Sequence, residues 1–245
     1  MVRETALAAI VAGIVAALVF TVVQSAWLTP LILQGETYED AAEAAVSNQG
    51  SVSSTSEHHH DEDAWKPQDG LQRTLFTFAA NLLMGVGYAF VLVALYLLWR
   101  EPRSVLWGGA YGLAGFVVFF AAPGLGLPPE LPGTASAELF ARQEWWVLIA
   151  AATAVGLILL VSARTGWMRV LALVVIVAPH LIPAPHPVVE SSLAPAALQS
   201  QFRLASTLCN AVFWLSLGIA SSVAFRRIVA TKLTHEIDGK PSSRA

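Results

Sequence analysis

Three histidines followed by three acidic residues are the densest group of metal-binding side chains in the sequence: His58, His59, His60, Asp61, Glu62 and Asp63. Imidazole and carboxylate together suit borderline divalent metals such as Co²⁺, Ni²⁺ and Zn²⁺, whereas Cu⁺ prefers thiolate or thioether ligands. The run lies within residues 35–73, which are acidic and otherwise rich in Ala, Ser, Asn and Gln, so we expect a flexible loop. Two readings remain open, a metal-collecting arm and a solvated acidic loop.

A second group of ligand types lies in a proline-rich stretch. Residues 179–187 read Pro-His-Leu-Ile-Pro-Ala-Pro-His-Pro. Because proline does not continue an α-helix, the backbone should open here and present free carbonyl groups beside His180 at the membrane boundary. An ionisable group at that depth is a functional candidate, so we predict that His180 is a metal ligand. The alternative is a histidine that caps a broken helix end. His186 is a further candidate, which we expect to be more exposed.

A third group combines a stiff loop with a charged and aromatic motif. Residues 124–133 read Gly-Leu-Gly-Leu-Pro-Pro-Glu-Leu-Pro-Gly, with Glu130 held among prolines and glycines. Residues 142–146 follow as Arg-Gln-Glu-Trp-Trp. Glu130 could contact an ion directly, or Arg142 could pair with it and clamp the loop.

Apolar segments must position these groups. The chain has 245 residues, of which 56% are hydrophobic and 13% charged, and its mean hydropathy is +0.61, a balance that excludes an ordinary soluble enzyme. We predict an all-α, polytopic integral membrane bundle, one domain over residues 1–245, in which the fifth of six spans is short or broken. The expected spans are about 5–28, 74–99, 104–123, 145–163, 167–183 and 204–225. The first could instead be a signal peptide, but its long apolar run and weak basic region favour an uncleaved anchor.

Basic residues orient the spans, because Lys and Arg accumulate on the cytoplasmic side. With both termini in the cytoplasm, ten of the 14 basic residues lie inside and four outside. Thirteen of the 17 acidic residues then lie outside, so the outer face carries −9 and the inner face +6. Without the fifth span, the basic segment after Phe225 would lie outside. Charge therefore favours six spans, with an outer face that attracts cations.

Small residues recur at four-residue spacing on several spans. This spacing places them on one helix face, where they let two backbones approach closely in lipid. We therefore predict packing seams at Ala9, Gly13 and Ala17, at Gly85 and Ala89, at Gly108 and Gly112, and at Gly218 and Ser222. The alternative for any single pair is that Gly and Ala are simply common in membrane helices.

Catalytic signatures are missing from the chain. The sequence contains no G-x-x-x-x-G-K-[ST], H-E-x-x-H or G-x-S-x-G motif. We therefore expect no enzyme activity, no ATP hydrolysis and no resident cofactor. The expected surroundings are the lipid bilayer, without a nucleic-acid partner.

Several segments together resemble a known family. They are Tyr38 after Thr29-Pro30-Leu31-Ile32, the loop 124–133, Arg142-Gln143 with Trp145-Trp146, Pro179-His180, and Phe213-Trp214. This combination resembles CbtA, the predicted cobalt transporter subunit of prokaryotes. The resemblance implies a multi-pass protein of the cytoplasmic membrane that carries Co²⁺, or Ni²⁺, for cobalamin synthesis. It also implies a small, one-span, histidine-bearing partner like CbtB. The family is often described with five spans, one fewer than charge favours here. The alternative function is a non-transporting membrane scaffold or metal sensor.

Overall fold

The computed structural model describes residues 2–48, 67–102 and 104–230. Seven α-helices lie in these ranges: α1 (Val2–Asn48), α2 (Leu71–Leu98), α3 (Val105–Phe116), α4 (Ala122–Gly124), α5 (Leu139–Ser162), α6 (Gly166–Val177) and α7 (Ala196–Ala224). A π-helical segment, Val117–Ala121, joins α3 to the single turn α4, and another, Phe225–Ala230, continues α7. A 3₁₀ turn, Ala178–Leu181, ends α6.

Five helical stretches are long and apolar enough to cross a membrane, and a shorter apolar one, Gly166–Leu181, accompanies them. The predicted all-α polytopic bundle is therefore confirmed. The five stretches are Val2–Ala45, Leu71–Leu98, Val105–Gly124, Leu139–Ser162 and Ala196–Val229.

The short stretch Gly166–Leu181 corresponds to the doubtful fifth span. At ~1.5 Å per α-helical residue and ~2.0 Å per 3₁₀ residue it is about 26 Å long, slightly less than a typical ~30 Å hydrocarbon core. Pro179 and Pro183 prevent a longer helix, because each lacks a backbone N–H. The expectation of a short fifth segment is confirmed.

The loop expected at residues 35–73 differs from the structure in its first part, where α1 continues without interruption to Asn48. The physical reason is composition. Residues 36–45 read Glu-Thr-Tyr-Glu-Asp-Ala-Ala-Glu-Ala-Ala, and Ala and Glu are strong helix formers that outweigh the single Gly35. At its other end, the expected loop gives way to α2 at Leu71.

Glycine seams hold the centre of the bundle, where α1 packs against α2 and α7, and α3 packs against α7. Gly13 faces Gly85 and Val86 of α2 so closely that an added Cβ would overlap the Val86 backbone. Gly112 likewise lies against the Trp214 carbonyl group of α7, and Gly108 against Ser222. The seams predicted from four-residue spacing at these positions are confirmed.

Polar contacts add two further ties between α1 and α2. The buried Asn81 amide donates hydrogen bonds to Thr21 Oγ1 at 3.0 Å and to Gln24 Oε1 at 2.8 Å. Farther along both helices, Arg73 forms a bidentate ion pair with Glu36, with one N–O distance of 3.0 Å. An amide inside a membrane bundle is thus used here to join two helices.

Candidate functional site

Two loops meet at one end of the bundle and form what we call the cap, residues 125–138 and 182–195. A single antiparallel bridge joins them, in which Ala135 N donates to Ser191 O at 2.9 Å and Leu193 N donates to Gly133 O at 3.2 Å. Gly133 has a φ of +73°, and a Cβ there would overlap the Leu193 side chain. A glycine is therefore required at this junction.

The side chain of Gln199 attaches both cap loops to α7. Its Nε2 donates to Thr134 Oγ1 at 2.6 Å and to Ser192 Oγ at 3.0 Å, and its Oε1 accepts from Leu131 N at 3.3 Å. Gln199 is 8% exposed, so losing this amide would leave buried polar groups unpaired. The sequence analysis missed Gln199, and the only local signal is its position in the first helical turn after Pro195.

Trp145 attaches the proline-rich stretch to α5. Its indole Nε1 donates to Ile182 O at 3.1 Å, and its ring fills the space that a side chain at Gly126 would occupy. Trp145, Ala122, Ile149 and Ala184 form a small apolar cluster beneath the cap. The loop 124–133, the motif 142–146 and the proline-rich stretch 179–187 therefore meet at this cluster.

His180 lies at the end of α6, beside the cap. Its Nδ1 is 3.0 Å from Ile176 O and its Nε2 is 3.3 Å from Ala122 O. A neutral imidazole can donate only one of these two hydrogen bonds, whereas an imidazolium can donate both. The side chain thus links α6 to α4, as the helix-end alternative predicts. Metal ligation by His180 stays a prediction, and it would require the ring to release at least one carbonyl group.

Two adjoining open cavities lie at the cap. One, of about 520 Å³, is lined in part by Glu130, Arg142, His186, Glu190 and Arg203. The other, of about 770 Å³, is lined by Glu130 and Arg142 again, together with hydroxyl, amide and indole groups of Ser136, Gln143 and Trp146. In each cavity the carboxylates, which can bind a hydrated cation, are matched by an equal number of guanidinium groups, which cannot bind it.

The structure brings some of the predicted ligands together and separates others. Glu130 and His186 line the same cavity and are both exposed, whereas His180 lines neither of the two. Within residues 67–102 and 104–230, Glu130 and Arg142 form no ion pair. The described residues hold no group of three or more His, Cys, Asp and Glu side chains placed to bind a metal. His58, His59, His60 and Asp61 lie outside the described residues.

Some carboxylates predicted on the outer face have structural partners. Glu138 accepts hydrogen bonds from the backbone N–H groups of Phe140 and Ala141 at the start of α5, and these bonds lower the pKa of its carboxyl group. Glu36 accepts two hydrogen bonds from the Arg73 guanidinium, and Asp69 accepts one. Glu36, Asp69 and Glu138 add negative charge at the end of the bundle that carries the cap. Each already binds a partner within the bundle, either Arg73 or the first turn of α5.

Comparison with known families matches residues 2–226 to the family described as probable cobalt transporter subunit (CbtA). No curated protein and no solved structure matches the chain. The family match covers nearly the whole described bundle, including both cap loops and the helices that carry them. The chain therefore belongs to the CbtA family of probable cobalt transporter subunits.

Proposed function

We propose that the chain is a membrane subunit of a cobalt uptake transporter, that it hydrolyses no ATP itself, and that its cap receives the ion. The observation that carries this proposal is the convergence of the 124–133 loop, the 142–146 motif and the 179–187 stretch at the cap, where all three line the cavity of about 520 Å³. These segments are far apart in sequence, and the fold assembles them where carboxylate and imidazole groups are exposed. The proposed role is transport rather than catalysis.

The proposed orientation places the cap outside and both termini in the cytoplasm of a prokaryotic cell, with six crossings. Two observations support counting the short fifth span as a crossing, which brings the total to six. α6 packs antiparallel to α5 after a short connection, and its end returns to Trp145, near the start of α5. Reporter fusions after Glu190 and after Arg227 should then lie on opposite sides of the membrane. Two reporters on one side would remove the fifth span from this topology.

Electrostatics supports inward movement of a cation in this orientation. The outer residues carry −9 and the inner residues +6, so a divalent cation is concentrated where transport begins. An inside-negative potential contributes about 2.3 kcal/mol per unit charge for each ~100 mV, or about 4.6 kcal/mol for Co²⁺. The membrane potential can therefore drive Co²⁺ uptake without ATP hydrolysis by this chain.

The predicted metal ligands divide into three proposed roles. His58, His59, His60 and Asp61 collect ions near the membrane, while Glu130 and His186 receive them in the cap. Replacing the three adjacent histidines should lower uptake mainly at low Co²⁺. His180 lies deeper, at the α6 end, so His180→Ala should lower the maximal rate at every Co²⁺ concentration if the ring binds the ion in transit. A normal maximal rate in His180→Ala would leave the residue as a helix-end tie only.

A second function, a non-transporting scaffold or metal sensor, also has a supporting observation. His180 is engaged by two carbonyl groups, and the described residues hold no ready-made group of three metal ligands. A site that binds a metal ion weakly and signals its presence, without transporting the ion, would fit that arrangement. Such a protein would bind Co²⁺ at the cap and leave the vesicle interior free of it.

Uptake by sealed vesicles separates the two functions. Vesicles holding the chain, with and without a small one-span, histidine-bearing partner, are given Co²⁺ and an inside-negative potential but no ATP. Transport predicts Co²⁺ accumulation that collapses with the potential. Binding without accumulation in both preparations would favour the sensor. Dependence of cobalamin synthesis on the chain, at limiting Co²⁺ in cells, would test the proposed destination of the metal.

A further inference from the structure

An apolar groove runs between α2, α3 and α5 near the end of the bundle opposite the cap. It has a volume of about 300 Å³, and its walls include Leu92 and Leu95 of α2, Ala110 and Ala114 of α3, and Leu157 and Ile158 of α5. Its walls belong to three of the helical stretches that are long and apolar enough to cross a membrane, so lipid chains are expected around it. An apolar groove there is filled either by an acyl chain or by another apolar segment.

The groove exists because the α5–α6 hairpin is attached mainly at one end. Besides their mutual packing, these helices contact chiefly the π-helical segment Val117–Ala121 and the turn α4, both close to the cap. Toward Ser162, Val161 of α5 and Trp99 of α2 line the same open space. The helix arrangement itself therefore leaves the opening.

One cationic side chain lies at the rim of this groove. Arg100 is the single charged residue among the described residues that line it, and its guanidinium lies 5.6 Å from the centre of the Trp99 ring. The Tyr111 hydroxyl donates to the Arg100 backbone carbonyl at 2.8 Å, which fixes the chain at this point. Trp99 and Trp107 at the rim are residue types that settle at lipid headgroup level.

We propose that this groove is a binding site for an anionic phospholipid of the inner leaflet, with one acyl chain between the helices and the phosphate on Arg100. Charge complementarity supports a phospholipid, because the apolar wall ends at one guanidinium. The assignment to the inner leaflet rests on the orientation proposed above.

Bound lipid can be counted directly on the purified full chain. The protein is reconstituted with equal amounts of phosphatidylglycerol and phosphatidylcholine, extracted, and analysed by native mass spectrometry. We expect about fivefold more bound phosphatidylglycerol, equivalent to ~1 kcal/mol for one basic residue at the surface. Arg100→Gln should remove that preference, since it keeps the backbone bond to Tyr111 and deletes the charge. Arg169→Gln is the matched control, an exposed arginine near Trp167 that does not line the groove.

A second pair of variants tests the acyl chain. Ala154→Phe should fill the groove and reduce binding of both lipids, whereas Ala151→Phe places the same ring about one turn nearer the cap, at an exposed position that does not line the groove, and should change neither. No preference in the wild type, equal loss in Arg169→Gln, or unchanged lipid in Ala154→Phe would each overturn the proposal, the last being expected if a partner helix covers the groove. If reporter fusions reversed the orientation while Arg100→Gln still lost phosphatidylglycerol, the lipid site would stand and only its leaflet would change.

Discussion

Gly112 and Gln199 represent two ways of joining segments in this protein. Gly112 lets α3 touch the backbone of α7 inside the bundle, so the contact depends on the absence of a side chain. Gln199 joins two loops of the cap to α7, so that contact depends on one side chain with three hydrogen bonds. We therefore expect an added side chain to destabilise the bundle at its glycine seams. We expect loss of the Gln199 amide to destabilise the cap.

The largest effect is expected where volume is added to a seam. In Gly112→Leu, the new side chain would overlap the Trp214 carbonyl group, a backbone atom that cannot rotate away. We expect the free energy of unfolding to fall by about 3 kcal/mol or more, the upper range for overpacked interiors, with little folded protein recovered. Thermal unfolding in detergent measures this. Gly109→Leu, three residues earlier on α3, has no atom within 4 Å of its Cβ and should unfold nearly as the wild type does. Equal loss in both variants would contradict the seam.

A smaller effect is expected where polarity is lost at the cap. Gln199→Leu keeps the approximate volume but leaves Leu131 N–H and the Thr134 and Ser192 hydroxyl groups without this partner. We expect a loss of about 2 kcal/mol of unfolding free energy, within the ~1–3 kcal/mol range for unpaired buried groups. Proteolysis of loop 182–195 should also accelerate. Gln201→Leu, two residues away and exposed, serves as the control. An unchanged digestion rate in Gln199→Leu would show that the loops hold without the amide.

The smallest effect is expected at the start of α5, where Glu138 accepts two backbone hydrogen bonds. The folded pKa of this carboxyl group is lowered, so its stabilising contribution is present above the ordinary value of 4.5 and is lost as pH falls through the lower folded pKa. Glu138→Ala should therefore melt below the wild type at pH 7, and the difference should shrink in acid. Glu144→Ala, at an exposed acid within α5, is the control variant and is melted over the same pH range. A difference that grows in acid would reverse the sign argued here.

The comparison also explains which parts of the structure could be predicted. The seams follow from spacing within one helix, so Gly13, Gly85, Gly108 and Gly112 could be assigned before any partner was known. The fifth segment could be identified as short because its prolines are local signals. The π-helical segment before Pro123 has no such signal, although a proline without an N–H explains it once it is seen.

The cap could be predicted only in part, because its contacts join residues distant in sequence. The proline-rich stretch correctly indicated that the α-helix ends near His180, although His180 itself lies in the 3₁₀ turn Ala178–Leu181 and the backbone opens only at Ile182. It did not indicate that Ala122 O would lie on the other side of the ring. Gln199 could not be assigned, since its partners lie 7 to 68 positions away and no pattern marks them. Composition misled the reading of residues 35–48, where polar residues and a glycine resembled a loop but Ala and Glu continue α1.

The central claim, that Co²⁺ enters through the cap, can be tested by blocking one cavity wall from outside. Ser136 is exposed and lines both cavities, and Cys209 is fully buried, so a Ser136→Cys variant offers one accessible thiol among the described residues. A bulky, membrane-impermeant thiol reagent is added to cells expressing this variant, and the initial rate of Co²⁺ uptake is measured. We predict that uptake stops as labelling proceeds, that Co²⁺ slows the labelling, and that Thr165→Cys, between α5 and α6, is neither labelled nor inhibited. Complete labelling of Ser136→Cys with normal Co²⁺ uptake would contradict the claim.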